Sequence, residues 1–506
     1  MELFLQGLGL ILQPVNLMLM VLGTAVGIVF GAVPGLTSVM AIALFLPMTY
    51  TMDPSLGLGI LMSLYIGSVS GGLISAIILK IPGTPASIAT CFDGVPLMEK
   101  GQGAKAIGIG IVFSFIGTII SILALIFIAP PLAKVALSFG SHEFFALAML
   151  SLMLIATLSS GSMVKGIFSG ILGIVFSTVG IAPVDAIKRY TFGAVELNSG
   201  FQTLTVLIGL FAVTEVLKVA ESCRSAARAE AAPVGKIKGF GFSFKEFRSQ
   251  IGNGIISALT GLGIGILPGI GAGTSNMISY TLAKNRSKHP ERFGTGIIDG
   301  VVASEAANNA SIGGAMIPLM TLGIPGDGVT ALLLGAFMVH GISPGPLLFV
   351  SQAPLVYTIF AASFVATLLM LGLEFFGVRI FVKLLKIPKH ILLPIIFVLC
   401  VVGAFGLSSR MFDVWAILLF GLLGFLFVKF KVPTAPFVIG FILGGMAETN
   451  LRRALMLSDG NFMDFVNFTS HPISASILCL TLAYLGWTIY KEIKKKRAWA
   501  AAAHKE

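Results

Sequence analysis

The sequence predicts an all-α polytopic membrane protein of two inverted-topology repeats, each carrying a re-entrant helical hairpin and a Pro-Gly-broken helix. Three observations lead there. Of 506 residues, 56% are hydrophobic and only 11% charged, and the mean hydropathy is +0.98, far from the usage of soluble domains. The stretch Gly261 to Asn276 is apolar on both sides yet interrupted by Pro268 and Gly269. Proline removes a backbone donor, and Gly269, Gly271 and Gly273 let the chain turn, so a spanning helix must break here. Third, the stretch has a copy: Gly27, Gly31, Pro34 and Gly35 match Gly261, Gly265, Pro268 and Gly269 at a constant separation of 234 residues.

The correspondence continues downstream. Ser70-Gly-Gly72 is echoed by Ile312-Gly-Gly314, 242 residues on, and Ile81-Pro-Gly-Thr84 by Ile324-Pro-Gly-Asp327, 243 residues on. The extra nine positions fit a longer, more polar loop in the second copy, Lys284 to Phe293 against Pro47 to Pro54. Broken backbone at membrane depth is tolerated only inside protein or against a cavity, because lipid supplies no hydrogen bonds. Paired Pro-Gly interruptions in two halves point to a secondary transporter and to its binding site. Two Gly-rich packing helices that merely look alike are the blander explanation, weakened by four positions kept at fixed spacing.

In chain order, residues 17–48 turn at Pro34-Gly35, leaving arms too short for two comfortable spans and favouring a re-entrant hairpin. Residues 56–98 form an element broken at Ile81 to Ser87, and spans follow near 107–129, 143–158, 166–182 and 203–220. The chain divides into a first repeat (1–220), a basic cytoplasmic linker (221–250), a second repeat with an extra C-terminal span (251–490) and a basic cytoplasmic tail (491–506). The second repeat holds a hairpin at 252–283, a broken element at 297–341 and spans near 350–378, 391–407, 412–428, 433–449 and 472–490. The formal charge of +11 sits in short loops and the tail, as the positive-inside rule expects, and presents no basic face for nucleic acid. Placing those loops in the cytoplasm makes the first hairpin enter from outside and the second from inside, which inverts the repeats. Lys188, Arg189, Arg452 and Arg453 fall on the outer side in this scheme. No cleavable signal peptide is expected, since Met1 to Leu12 lacks a basic start.

Each break exposes helix N-termini whose free N–H groups and positive dipole end favour an anion. The candidate substrate-binding residues are Pro34, Gly35, Thr37, Ser38, Thr84 and Ser87 in the first half, and Pro268, Gly269, Gly271, Thr274, Ser275 and Asn276 in the second. Small hydroxyls and amides beside glycine let a ligand approach the backbone; the same side chains also suit plain helix capping. Asp327 suits either cation coordination or a cap on the following helix. Glu305, Asn308 and Asn309 lie on adjacent faces of one helix, fit for a coupling ion or for an interhelical polar contact. Glu448 with Arg452 and Arg453 fits a neutralising cluster. No catalytic residues are expected: the six histidines are dispersed, and no HExxH occurs. The four cysteines are isolated, without metal-ligand spacing. No cofactor is expected beyond Na+ or H+ as coupling ion.

The run Gly31 to Ser38, with Ile81 to Ser87, Asp93-Gly-Val-Pro96, Arg189 to Gly193, Leu267 to Gly271, Gly323 to Gly326 and Glu448 to Leu457, closely resembles the large membrane subunit (TctA) of tripartite tricarboxylate transporters. The resemblance covers nearly the whole chain. It implies a multi-pass protein of the bacterial inner membrane that works with a small membrane subunit and a periplasmic substrate-binding protein. It further implies secondary uptake of a di- or tricarboxylate such as citrate, driven by Na+ or H+, on an elevator-type fold with helical hairpins. The runner-up is a carboxylate or amino-acid exporter working without a binding protein. An intramembrane enzyme finds no supporting residue cluster.

Overall fold

The structure, a computed structural model, describes residues 2–158, 162–222, 241–384 and 389–503. The first half runs α1 (Glu2–Ile11), α2 (Pro14–Ala32), α3 (Ser38–Thr49), α4 (Pro54–Ile78), a 3-10 turn (Pro85–Ser87), α5 (Ile88–Glu99), α6 (Gly103–Ala136), α7 (Ser141–Leu158) and α8 (Met163–Ser177). A short hairpin of β1 (Gly180–Ile181) and β2 (Lys188–Arg189) follows. Next, α9 (Thr203–Leu207) passes through a π-turn at Ile208–Val213 into α10 (Thr214–Ser222). The second half runs α11 (Phe244–Ile266), α12 (Gly271–Arg286), α13 (Ile298–Leu322), α14 (Gly328–Val339), α15 (Leu348–Ser351), α16 (Ala353–Leu384), α17 (Lys389–Ser408), α18 (Met411–Lys429), α19 (Thr434–Leu457) and α20 (Pro472–Ala503).

Among the described residues seven helices are long and apolar enough to cross a membrane. The chain divides into two compact units, Met1–Leu137 with Gln202–Lys429, and Ser138–Phe201 with Phe430–Glu506. The larger unit contains all four Pro-Gly breaks. At its centre α4 and α13 are buried over nearly their whole length, and an apolar core of Ile28, Leu73, Ile77, Ile107, Phe113, Val301 and Ala306 surrounds them. In the smaller unit α7, α8, α19 and α20 pack together, and the loops at one end are tied by ions. There Arg189 meets Glu448 (2.5 and 3.1 Å), and Arg452 reaches both Glu448 (2.9 Å) and Asp185.

The proline-glycine pairs end helices for a local reason. The residue before proline is driven to extended backbone. Val33 sits at φ −84°, ψ 115° and Leu267 at φ −79°, ψ 120°, one ending α2 and the other α11. The next glycines turn the chain in the left-handed region, Gly35 at φ 95° and Gly269 at φ 78°. At the other breaks α13 ends on left-handed Gly323 (φ 71°), and Lys80 takes the same conformation (φ 58°) just beyond α4.

The repeated glycines upstream of the breaks serve packing. A Cβ on Gly27 would stand 2.4 Å from Leu64 O and one on Gly31 2.1 Å from Ser68 O; on Gly261 and Gly265 the corresponding distances are 2.1 Å to Ala307 O and 2.6 Å to Ser311 O. So α2 presses on α4 as α11 presses on α13, with small residues permitting backbone contact. The packing explanation and the broken-helix explanation therefore both hold, at different positions of one motif.

Several sequence expectations are corrected. The first arm of the first hairpin is not short: α2 has 19 residues, enough to cross, while α3 has 12. Pro47 is not in a loop but in the last turn of α3. The span at 203–220 is not a plain helix, because the π-turn interrupts it. Residues 223–240 of the basic linker, with Arg224, Arg228, Lys236 and Lys238, lie outside the described residues; its end at 244–250, with Lys245 and Arg248, is the first two turns of α11.

Candidate functional site

The breaks bring four helix N-termini into one ring of contacts. Within each half the hairpin meets its own broken helix: the Cβ position of Gly83 is 2.1 Å from Gly31 O, and Gly269 N donates to Gly326 O at 2.7 Å. Between halves the hairpins exchange partners. The Cβ position of Gly273 on α12 lies 3.3 Å from Pro85 Cβ before α5, and that of Gly328 on α14 lies 3.4 Å from Val39 on α3. Gly271 faces Asp327, again at 3.3 Å. The starts of α3, α5, α12 and α14 thus gather around one region, each bringing backbone N–H groups without intrahelical partners.

Each expected site residue has a definite place. Pro34, Gly35, Thr37, Pro268, Gly269 and Gly271 are half-buried at the two tips, and Thr274 is exposed. The Thr37 hydroxyl caps α3, accepting from Met40 N at 3.1 Å. Ser38 is buried. Ser87 Oγ donates to Thr84 O (3.0 Å), and Ser275 Oγ donates to Ala272 O (2.9 Å) and Ala307 O (3.3 Å). Asn276 Nδ2 and Asn308 Nδ2 both donate to Ala86 O, the latter at 2.9 Å, stitching α12 and α13 to the turn before α5. Among the described residues, two buried polar atoms here have no hydrogen-bond partner, Thr84 Oγ1 and Asn276 Oδ1. Such atoms are costly to bury alone.

Asp327 caps α14, its Oδ1 accepting from Thr330 N and Thr330 Oγ1, both at 2.8 Å, while its Oδ2 accepts from Tyr65 Oη at 2.6 Å. Behind the ring lies a polar seam within the larger unit. Glu305, fully buried on α13, accepts from Thr90 Oγ1, from Ser114 Oγ (3.0 Å) and from Asn308 Nδ2 (3.2 Å). Asn309 Nδ2 donates to Asn308 Oδ1 (2.6 Å), and Thr118 Oγ1 donates to Asn309 Oδ1 (3.3 Å). The expected ion residues Glu305, Asn308 and Asn309 are therefore in one hydrogen-bonded group, and Asp327 stands apart from it with Tyr65.

Residues not among the expected site residues also carry polar work. Asp93, fully buried on α5, gathers Gly294 N (3.0 Å), Gly296 N (2.8 Å), Ile297 N (3.1 Å) and Tyr280 Oη (2.8 Å). It clamps the loop before α13. Glu374 is buried on α16 and accepts from Ser70 Oγ at 2.8 Å. A carboxylate alone in an apolar run was the available signal for it, since ionisable groups inside spans are rare and costly. A cavity of about 230 Å³ lies elsewhere in the same unit, lined by Lys105, Glu246, His289, Arg292 and Asp299 among others.

The comparisons follow the same line. The chain is 37% identical over 488 residues to "Uncharacterized 52.8 kDa protein in TAR-I ttuC' 3'region" of Agrobacterium vitis, covering 96% of this chain and 95% of that protein. It is 39% identical over 234 residues to "Uncharacterized protein in TAR-II ttuC' 3'region" of the same organism, covering 46% of this chain and 96% of that protein. No solved structure matches. Residues 17–439 match the family described as "Tripartite tricarboxylate transporter TctA family", and with them the four breaks, so this multi-pass membrane protein belongs to the TctA family of tripartite tricarboxylate transporters.

Proposed function

We propose that the chain takes up a di- or tricarboxylate, citrate-like in chemistry, across the bacterial inner membrane, coupled to Na+ or H+. A periplasmic binding protein delivers the acid and a small membrane subunit completes the assembly. The ring of four helix N-termini is the observation that carries this reading. Free N–H groups and aligned dipoles hold a carboxylate without a buried arginine, and the unpartnered Thr84 Oγ1 and Asn276 Oδ1 offer further contacts. Pro34, Gly35, Thr37, Ser38, Thr84 and Ser87 face the acid from one half, and Pro268, Gly269, Gly271, Thr274, Ser275 and Asn276 from the other. Glu305, Asn308, Asn309 and Asp327 serve the coupling ion. The two halves act as inverted repeats, and a hairpin-bearing core moves against the remaining helices in an elevator-type alternation of access.

Replacing Gly35 or Gly269 with leucine tests the reading. Both glycines lie in the left-handed region, where a side chain costs on the order of 1–3 kcal/mol. Uptake of labelled citrate and other di- and tricarboxylates by vesicles supplied with the binding protein is expected to be abolished, with membrane insertion retained. Normal uptake by both variants overturns the site, and efflux undiminished without any binding protein favours an exporter.

A further inference from the structure

Glu374 of α16 is fully buried, with Ser70 Oγ of α4 donating to its Oε2 at 2.8 Å and, among the described residues, with no hydrogen-bond partner for its Oε1. The helices packed on α16 are α1, α2, α4, α6 and α15. Their titratable or charged groups are Glu2, Tyr65, Lys105 and Lys134, and none of these makes a hydrogen bond or ion pair with Glu374. Tyr65 is given to Asp327 and Lys105 to Glu246. On α16 itself the side chains of Arg379 and Lys383 are outside the described set. The other buried acid of the polar seam is Glu305 on α13.

The two acids are provided for differently. Glu305 receives three donors, from Thr90, Ser114 and Asn308, which is how a protein holds a carboxylate. Glu374 receives one. A bare carboxylate oxygen in an apolar interior costs far more than a neutral hydroxyl in the same place. We infer that Glu374 is a proton-binding site, Oε1 taking the proton and Ser70 holding Oε2, and that it carries a coupling proton of transport in addition to the ion served by Glu305, Asn308, Asn309 and Asp327.

The transport role rests on the reading proposed above; the protonation does not, and the experiment separates them. Infrared spectra of the purified full chain in lipid nanodiscs are recorded across a pH titration without substrate. A carboxylic-acid C=O band that titrates is expected, lost in Glu374→Gln and displaced in frequency in Ser70→Ala, with Glu305→Gln leaving it in place. Glu374→Asp, which retains an acid, keeps the experiment interpretable where Gln fails to fold. A band untouched by Glu374→Gln overturns the inference, as does a band abolished by added sodium chloride at fixed pH, which makes the site a sodium ligand. In vesicles, Glu374→Gln is expected to retain exchange of labelled citrate while losing accumulation driven by a proton gradient; undiminished accumulation refutes the coupling role. A titrating band in a chain that moves none of the tested acids refutes the transport reading and leaves the protonation site standing.

Discussion

At the residue scale, single polar groups hold broken backbone together. Asp93 answers three backbone N–H groups and a tyrosine hydroxyl at once. Truncating it leaves those donors without acceptors in a buried place, where each unsatisfied group costs about 1–3 kcal/mol. Asp93→Ala is therefore expected to lower the unfolding temperature of the detergent-purified protein markedly, and Asp93→Asn, which keeps one acceptor oxygen, much less. Equal melting of the two variants would show that the carboxylate's bonds carry no such weight. Asp327 caps the following helix, one of the two roles the sequence offered it, and also accepts from Tyr65, which the sequence did not offer. Its capping partner Thr330 lies three residues on, which is local and legible; Tyr65 lies 262 residues away and is not.

At the element scale, the glycine rows decide how closely helices approach. The Cβ position of Gly261 stands 2.1 Å from Ala307 O, whereas nothing lies within 4 Å of that of Gly263 on the same helix. Gly261→Val must push α11 off α13, an overpacking cost of typically 1–3 kcal/mol and sometimes more. Gly263→Val faces open space. Yield of folded protein by size-exclusion chromatography is expected to collapse for the first and to hold for the second, and the reverse order would refute this packing. The same logic separates Gly31, 2.1 Å from Ser68 O, from Gly9, which meets nothing. The breaks were legible because the causes are local: a proline, the residue before it, and a glycine after it. The π-turn in the span after α9 was not, since no proline marks it.

At the scale of the whole molecule, long-range pairing neutralises charges that the positive-inside scheme left on the outer side. Arg189 and Arg452 pair with Glu448, and Arg452 with Asp185. The Arg452 hydrogen bond holds the Asp185 carboxyl below its ordinary range. Because the folded value is depressed, the contribution is present above the ordinary carboxylate pKa and is lost as pH falls through the depressed value. Acidification over that window is expected to loosen the β1–β2 hairpin, read as faster proteolysis or amide exchange of residues 180–189. Arg452→Gln should show the looser behaviour already at neutral pH; a hairpin equally protected at both pH values in both proteins would contradict the role. The six histidines looked dispersed, yet His142 and His471 stack in the smaller unit with ring centroids 3.8 Å apart.

The sequence by itself determined the membrane class, the four interruptions and most helix positions, because hydropathy, proline and glycine act on the chain within a few residues. It also marked Glu305, Asn308 and Asn309, whose polarity is conspicuous in an apolar segment. Only the tertiary structure decided which broken ends meet, that Ala86 O receives both Asn276 and Asn308, and that Glu374 lies beside Ser70. Those partners stand hundreds of residues apart in the chain, and their meeting depends on how helices settle against one another, which no local preference encodes.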